Sequence, residues 1–283
     1  MCPVADVRSL SGHALAGDRI VRQIFFDIAG ISNPKHEPIV VCAGVITHPD
    51  KQWKLLREYL LGMVDEYVPV EHRAGFAFHA TELFSGGKVF PRDKFDREWR
   101  WRVLDELVSI PEKFDLPIVW GRTPREMVEP GGYLAPTTPL LVTPPRVVHA
   151  QMISFTVACA AAEYWMNQVA EPDEIAQMIM ENDDQSRAFI RYVQRYLSDP
   201  FFNSRFSEQY RVFRLSRIMY PIQFEEKTDS SALQVADVCA FVLKRWCMNK
   251  PEIDRFYKPI EPFLVNSLKT DAISASSSEG QSA

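Results

Sequence analysis

A single acidic residue, Asp237, lies in an otherwise apolar stretch near the end of the chain. Its neighbours are almost all aliphatic, and their spacing predicts a helix over 231–248. An ionised carboxylate in such surroundings is unfavourable unless a cation or a hydrogen-bond donor compensates it. Gln234 and Ser230 lie one and two turns earlier on the same helix face, so the three residues form a polar stripe. Asp237 is therefore a candidate site residue rather than a core position.

Other acidic residues stand near the ends of predicted strands: Asp27, Glu82, and the group Glu181, Asp183 and Asp184. Carboxylates at neighbouring strand ends, facing a carboxylate from a packed helix, repel one another unless a cation lies between them. Hard divalent cations such as Mg²⁺ prefer such oxygen ligands. Two such ions would activate water and hold a leaving oxygen in phosphodiester cleavage. The pattern therefore indicates a divalent-metal site.

Most of these residues also have an ordinary structural interpretation. Asp27, before Ile-Ala-Gly, is suited to starting a turn. The acidic residues over 181–184 are suited to capping the next helix. Glu82 fits an exposed first-turn residue, and the nearby His79 fits a packed histidine. The apolar neighbours of Asp237 make that residue the hardest to explain structurally.

Basic residues recur on one predicted helix. Arg187, Arg191 and Arg195 are four positions apart within a predicted helix over 186–197, so they form one stripe on its surface. Such a stripe is typical of a solvated helix face or of a surface that contacts phosphates. The net charge of −5 gives no overall basic footprint, so nucleic-acid binding would depend on a local surface.

Several other chemistries lack their motifs. The sequence has no G-x-x-x-x-G-K-[ST], G-x-G-x-x-G, H-E-x-x-H or G-x-S-x-G. Its five cysteines include no C-x-x-C pair, which argues against a disulfide framework and a zinc site. No apolar run reaches the roughly 18 residues of a membrane helix. The start of the chain does not resemble a secretory signal, so we expect a cytoplasmic protein.

The order of the predicted elements indicates an α/β fold with a mixed central sheet flanked by helices. The predicted strands cover 21–27, 38–47, 75–79, 116–120, 174–181 and 213–223. The predicted helices cover 50–67, 91–110, 146–169, 186–197 and 231–248. The first two strands are expected to pair as a hairpin.

The remaining segments define the expected domain organisation. We expect a single domain over 21–265, an N-terminal extension over 1–20 and a disordered tail over 266–283. A loop over 123–145 carries six prolines and is expected to be an insertion at one edge of the sheet. Residues 251–265 form a proline-punctuated piece with no predicted element.

Two sequence motifs carry a family resemblance. The early strand contains Phe25-Phe26-Asp27-Ile28-Ala29-Gly30, and the late helix begins with Leu233-Gln234-Val235-Ala236-Asp237. With the weaker segments 78–83 and 180–183, they make the region over 21–248 similar to the bacterial DUF3800 family, a domain of unknown function. That family has an early Asp-Glu-x-Gly and a late Leu-Gln-x-Ala-Asp, and its glutamate is replaced here by Ile28.

The resemblance implies a ribonuclease-H-like fold. In such a fold, acidic residues lie on the first strand, a later strand and the last helix, which implies a metal-dependent nuclease-like site. Asp27 and Asp237 match the family positions directly. Glu181 and Asp183 compete for the third position, and their spacing does not choose between them.

These observations predict a Mg²⁺- or Mn²⁺-dependent phosphodiesterase acting on nucleic acid. Its metal ligands would be Asp27, Asp237 and either Glu181 or Asp183. Glu82 or His79 would have an accessory role, for example in proton transfer. The residues expected to contact substrate are Lys227, Gln234, Arg187 and Arg191.

The sequence also allows two other functions. One is a catalytically weakened or inactive ribonuclease-H-like module that binds a partner protein, for example in a defence or mobile-element system. Ile28, in place of the family glutamate, favours that alternative. The other is a metal-dependent hydrolase with a small phosphoester substrate.

Overall fold

A five-stranded mixed sheet with helices on both faces forms the centre of the structure, which is a computed structural model. It describes residues 21–33, 35–128, 146–184, 186–199 and 214–265. The predicted α/β fold class with a mixed sheet and flanking helices is confirmed. The expected N-terminal extension and tail lie outside the described residues, as do residues 129–145 of the proline-rich loop. The rest of that loop comprises the end of a strand and a 3₁₀ helix, Arg125–Val128.

The strands are β1 (Val21–Ala29), β2 (Ile39–Thr47), β3 (Ile118–Pro124), β4 (Ile175–Glu181) and β5 (Ile218–Glu225). Their order in the sheet is β3-β2-β1-β4-β5. β2 is antiparallel to β1 and β3, so the predicted hairpin is confirmed. β4 is parallel to β1 and β5, which brings the carboxyl ends of these three strands to one edge of the sheet.

The α-helices are α1 (Lys54–Tyr67), α2 (Ala80–Ser85), α3 (Arg97–Val108), α4 (Ile110–Phe114), α5 (Arg146–Gln168), α6 (Arg187–Ser198), α7 (Ser231–Cys247) and α8 (Asp254–Ile260). α7 crosses β1 and β2 on one face, and α5 crosses β2 and β3 on the other. Successive side chains of β1 point to opposite faces of the sheet, so Phe25 packs on the α7 side and Phe26 on the α5 side. Among the described helices, none combines the length and apolar character needed to cross a membrane.

The predicted strand over 75–79 is wrong. The backbone at His79 is extended, with φ −121° and ψ 118°, but the segment joins no strand. The N–H groups of Phe78 and Ala80 donate instead to side chains of α7. The extended backbone of this segment is thus stabilised by docking onto a helix rather than by a sheet, because side chains of α7 satisfy its donors.

Several other predicted elements start or end elsewhere, and one segment without a predicted element contains a helix. α3 begins at Arg97 rather than Pro91, because the Asp96 carboxylate caps it by accepting the Trp99 N–H at 2.7 Å. β5 begins at Ile218 rather than residue 213, which lies outside the described part. The buried Glu163 carboxylate accepts the backbone N–H just before that strand. The piece over 251–265 contains α8, which no pattern had predicted.

The backbone of α5 lies directly against Gly121 on β3. A Cβ at this position would lie 2.3 Å from the carbonyl oxygen of Ser154 and 2.8 Å from the backbone nitrogen of Ala158. Both atoms belong to the backbone of α5, so a side chain could be accommodated only by moving the helix.

Gly121→Ala is therefore expected to lower the free energy of unfolding by about 1–3 kcal/mol through overpacking. Gly62→Ala is a matched control, because Gly62 lies within α1 and a Cβ there meets no atom within 4 Å. That control should raise the free energy of unfolding by roughly 0.5–1 kcal/mol through helix propensity. Urea unfolding of both variants measures the difference, and equal effects would contradict the proposed close contact.

Candidate functional site

Three of the predicted site carboxylates converge at the edge of the sheet where β1 and β4 end. Asp27 lies near the end of β1 and Glu181 is the last residue of β4. Both share the parity of Phe25 and Ile179, which pack in the core on the α7 side, so both face α7. Asp237 reaches the same place from α7 itself.

The ammonium group of Lys227 lies at the centre of these carboxylates. Its Nζ is 2.8 Å from Asp237 Oδ1, 3.0 Å from Glu181 Oε2 and 3.5 Å from Asp27 Oδ1. Lys227 belongs to a 3₁₀ helix, Lys227–Asp229, between β5 and α7, and its side chain is only 6% exposed. We call these four residues the Lys227 cluster. The positive charge that compensates Asp237 in its apolar surroundings is therefore supplied by a lysine of the same chain.

The polar stripe of α7 also organises the neighbouring backbone. Asp237 Oδ2 accepts the Ala80 N–H at 2.8 Å, and Gln234 Oε1 accepts the Phe78 N–H at 3.0 Å. Gln234 Nε2 donates to the Lys227 carbonyl oxygen at 3.2 Å. Gln234, predicted to contact substrate, is buried, and its amide binds backbone groups on both sides. In this arrangement it positions Lys227 and the segment before α2.

The protonation states within the cluster follow from burial and proximity. Burial raises the pKa of Asp27 well above its ordinary range, although the Lys227 ammonium opposes this, and the neighbouring carboxylates raise it further. Burial also acts to raise the pKa of Glu181, but a hydrogen bond from Asp27 and the Lys227 ammonium bring it below its usual value. The hydrogen bond between the two side chains thus acts in opposite directions, raising the pKa of Asp27 and lowering that of Glu181.

Lys227 remains charged in this environment. Burial alone would lower the pKa of the Lys227 ammonium, yet the attraction of Asp27, Asp237 and Glu181 raises it above the ordinary lysine value. The ammonium is therefore a fixed positive charge rather than a nucleophile or a base.

The remaining predicted catalytic and metal-binding residues lie outside the cluster's ion pairs. The Asp183 carboxylate accepts the Ser186 hydroxyl at 2.7 Å at the start of α6, so Glu181 is the residue that reaches Lys227. The Glu82 carboxyl packs against Gly87. His79 precedes α2, close enough to Glu181 for its charge to contribute to lowering the pKa of that carboxyl.

Ile28 faces away from the cluster. Its side chain packs with the apolar residues between the sheet and α5, including Val40 and Ala150. The alternation of a strand puts residues 27 and 28 on opposite faces. Isoleucine at this position therefore removes no carboxylate from the side of the sheet on which Lys227 lies.

The predicted substrate-binding arginines flank the same edge of the sheet. The guanidinium groups of Arg187 and Arg191 lie over the Phe224 ring, 5.7 and 5.1 Å from its centroid. Phe224 directly precedes Glu225, the register partner of Glu181. Arg187 also pairs with the exposed Asp184 at 2.9 Å.

The central role of Lys227 was missed by sequence reasoning, which placed it as a phosphate contact. The available signal was its position directly after two acidic residues, Glu225 and Glu226, and shortly before the start of the helix that carries Asp237. Nothing in that local pattern shows that the lysine side chain turns inward.

The cluster offers oxygen donors of the type that Mg²⁺ and Mn²⁺ prefer. As arranged, however, the donors surround an ammonium group, and no set of three or more His, Cys, Asp or Glu side chains in the described ranges could hold a metal ion. The present side-chain arrangement therefore does not fit a divalent ion. No protein-family model matches the chain, and no curated protein matches it.

The raised pKa of Asp27 predicts a pH-dependent effect of Asp27→Asn. A proton on Asp27 stabilises the fold fully below the ordinary pKa of about 3.9, and this stabilisation is lost as the pH rises through the raised folded-state pKa. Asparagine mimics the neutral acid at every pH. The variant should therefore gain stability relative to the wild type as the pH rises, by about 1.4 kcal/mol per pH unit between the two pKa values.

Denaturant unfolding at a series of pH values, with a chelator present, measures this gain. Asp229→Asn, at an exposed position next to the cluster, is the control for the charge change alone. A stability difference between Asp27→Asn and wild type that stays constant with pH would show that Asp27 is ionised in the fold.

Proposed function

We propose that the chain is a divalent-metal-dependent phosphodiesterase acting on nucleic acid, with the Lys227 cluster as its reaction centre. The observation that carries the proposal is the convergence of Asp27, Glu181 and Asp237 from three separate elements. Acidic residues on the first strand, a later strand and a late helix are the arrangement that the DUF3800 resemblance implies. In this proposal Asp27, Glu181 and Asp237 would be the metal ligands, in place of their present contacts with the Lys227 ammonium.

The charge around the cluster supports a role for a cation. Further carboxylates lie at the ends of β4 and β5 or just beyond: Asp183, Asp184, Glu225, Glu226 and Asp229. Such a concentration of one sign raises the local concentration of divalent cations. Arg187 and Arg191 provide guanidinium groups beside it, and this group is suited to binding phosphate oxygens.

Asp237→Asn is expected to abolish cleavage while the protein stays folded. The amide oxygen can still accept the Ala80 N–H, but the negative charge at the centre of the cluster is lost. Removing a metal ligand should lower the rate by about 100-fold or more. The assay follows degradation of single-stranded DNA, duplex DNA and RNA with Mg²⁺ or Mn²⁺.

Asp229→Asn is the matched control, because it makes the same chemical change at an exposed residue eight positions away. It should retain cleavage of whichever substrate the wild type degrades. Full activity of Asp237→Asn with metal present would contradict the assignment. Hydrolysis of small phosphoesters without degradation of any nucleic acid would instead indicate the metal-dependent hydrolase with a small phosphoester substrate.

The second candidate is a catalytically inactive binding module, and the Lys227 ammonium is the observation that favours it. The buried carboxylates are compensated without any metal, so the cluster can serve as a purely structural ion network. Thermal unfolding with Mn²⁺ separates the two functions. A metal-dependent rise in Tm that Asp27→Ala removes supports the phosphodiesterase, whereas no rise in either protein supports the module.

A further inference from the structure

The outer face of α6 combines guanidinium groups with tyrosine rings. The helix carries three arginines and no acidic residue. Its inward-facing positions are buried, namely Ile190, Val193, Gln194 and Leu197. Arg191, Tyr192 and Arg195 point outward, and Tyr192 is 44% exposed. Arg187 pairs with Asp184, but in the described ranges no carboxylate lies within ion-pair distance of the other two arginines.

These side chains form two parallel rows along the helix. Arg187, Arg191 and Arg195 are four residues apart, so they follow one another at about 6 Å along the helix axis. Tyr192 and Tyr196 have the same spacing one position later, and their ring centroids are 6.4 Å apart at an interplanar angle of 35°. Cations beside aromatic rings suit single-stranded nucleic acids, because phosphates bind the cations and unpaired bases stack on the rings.

α6 is fastened to the sheet, so the two rows form a fixed surface. The buried Gln194 donates from Nε2 to the Met219 carbonyl oxygen at 2.7 Å, and its Oε1 accepts the Ile222 N–H at 2.5 Å. The Arg191 guanidinium lies over the Phe224 ring, near the end of the same strand. α6 therefore runs antiparallel to β5, and its row of arginines leads to the edge of the sheet where the Lys227 cluster lies.

We propose that the outer face of α6 binds a single-stranded polynucleotide, whose phosphates contact Arg191 and Arg195 and one of whose bases stacks on Tyr192. The inference rests on the proposed function for the kind of substrate and adds that the substrate is single-stranded. Charge complementarity favours a polyanion, because α6 has three positive charges and no negative one. A duplex fits less well, because its bases are stacked on one another and offer no free face to a tyrosine ring.

Arg57 provides a matched control on the other face of the sheet. It is an exposed arginine of α1, and its guanidinium lies 5.8 Å from the ring centroid of Trp53, which is 57% exposed. α1 packs against α7, so it lies on the side of the sheet opposite α6. Arg57→Gln therefore makes the same chemical change as Arg195→Gln beside an exposed aromatic ring, without altering the proposed surface.

The test measures fluorescence anisotropy of labelled oligonucleotides of about 16 nucleotides, with a chelator present so that a metal-dependent enzyme cannot cleave them. The probes are single-stranded DNA, single-stranded RNA, duplex DNA and, as a polyanion without bases, poly-glutamate. Wild type should bind at least one of the single strands about 10-fold or more tightly than the duplex and than poly-glutamate. The two single strands show which sugar the surface accepts.

Arg195→Gln should weaken binding of the single strand about 3-fold or more. It should also reduce the slope of log K against log salt by about 0.7, which is the value for one phosphate contact to a single strand. Arg57→Gln should change the affinity by less than about 2-fold, because its charge lies on the other side of the sheet and is screened.

Tyr192 distinguishes stacking from charge alone. Tyr192→Leu keeps an apolar side chain but removes the ring, so it should weaken binding of the single strand about 5-fold or more. Tyr192→Phe keeps the ring and should bind within about 2-fold of the wild type. The substituted side chains are all exposed, so the variants are expected to fold.

Four results would each overturn the proposal. They are wild type that binds neither single strand at low salt, duplex or poly-glutamate bound as tightly as the single strands, equal losses in Arg57→Gln and Arg195→Gln, and unchanged affinity in Tyr192→Leu.

Binding is measured without metal, so this proposal and the phosphodiesterase can fail separately. Wild type that binds single strands but degrades no nucleic acid with Mg²⁺ or Mn²⁺ would leave the α6 surface standing and remove the phosphodiesterase. Cleavage of a single strand by Arg195→Gln and Tyr192→Leu with the kcat and KM of the wild type would leave the enzyme standing and remove the surface.

Discussion

The contact of one buried ammonium with three carboxylates is the constraint on which this edge of the structure depends. Lys227 links β1, β4 and α7 through Asp27, Glu181 and Asp237. A buried charge of either sign is unfavourable by itself, and removing one member of such a group leaves the others uncompensated. The raised pKa of Asp27 follows from the same balance, because burial disfavours a further negative charge there.

The sheet topology makes this contact available. Parallel pairing of β1 with β4 brings two strand ends to one edge, and strand alternation turns both side chains toward α7. Gln234 and Asp237 then accept alternate N–H groups of the extended segment before α2. The Leu-Gln-x-Ala-Asp motif therefore has a structural role that is independent of any catalysis, since its two polar residues satisfy buried backbone donors.

Because the Lys227 ammonium compensates the clustered carboxylates, their convergence does not by itself indicate a bound metal ion. Acidic residues that converge in space usually suggest a bound cation, but here a lysine already supplies the positive charge. The carboxylates alone would not reveal this compensation, and Ile28, on the opposite face of the sheet, has no direct part in it.

The sequence by itself determined the α/β class, most of the strands and long helices, and Asp237 as a charge that needed a partner. Hydrophobic periodicity is local, so elements such as β1, β2 and α5 could be predicted from it. Only the tertiary structure decided that Glu181 rather than Asp183 reaches the cluster, that residues 75–79 dock on a helix, and that Lys227 turns inward. These outcomes depend on contacts between distant segments, such as the Ala80–Asp237 hydrogen bond across 157 residues, and the burial of a charge is set by those contacts and not by its neighbours in sequence.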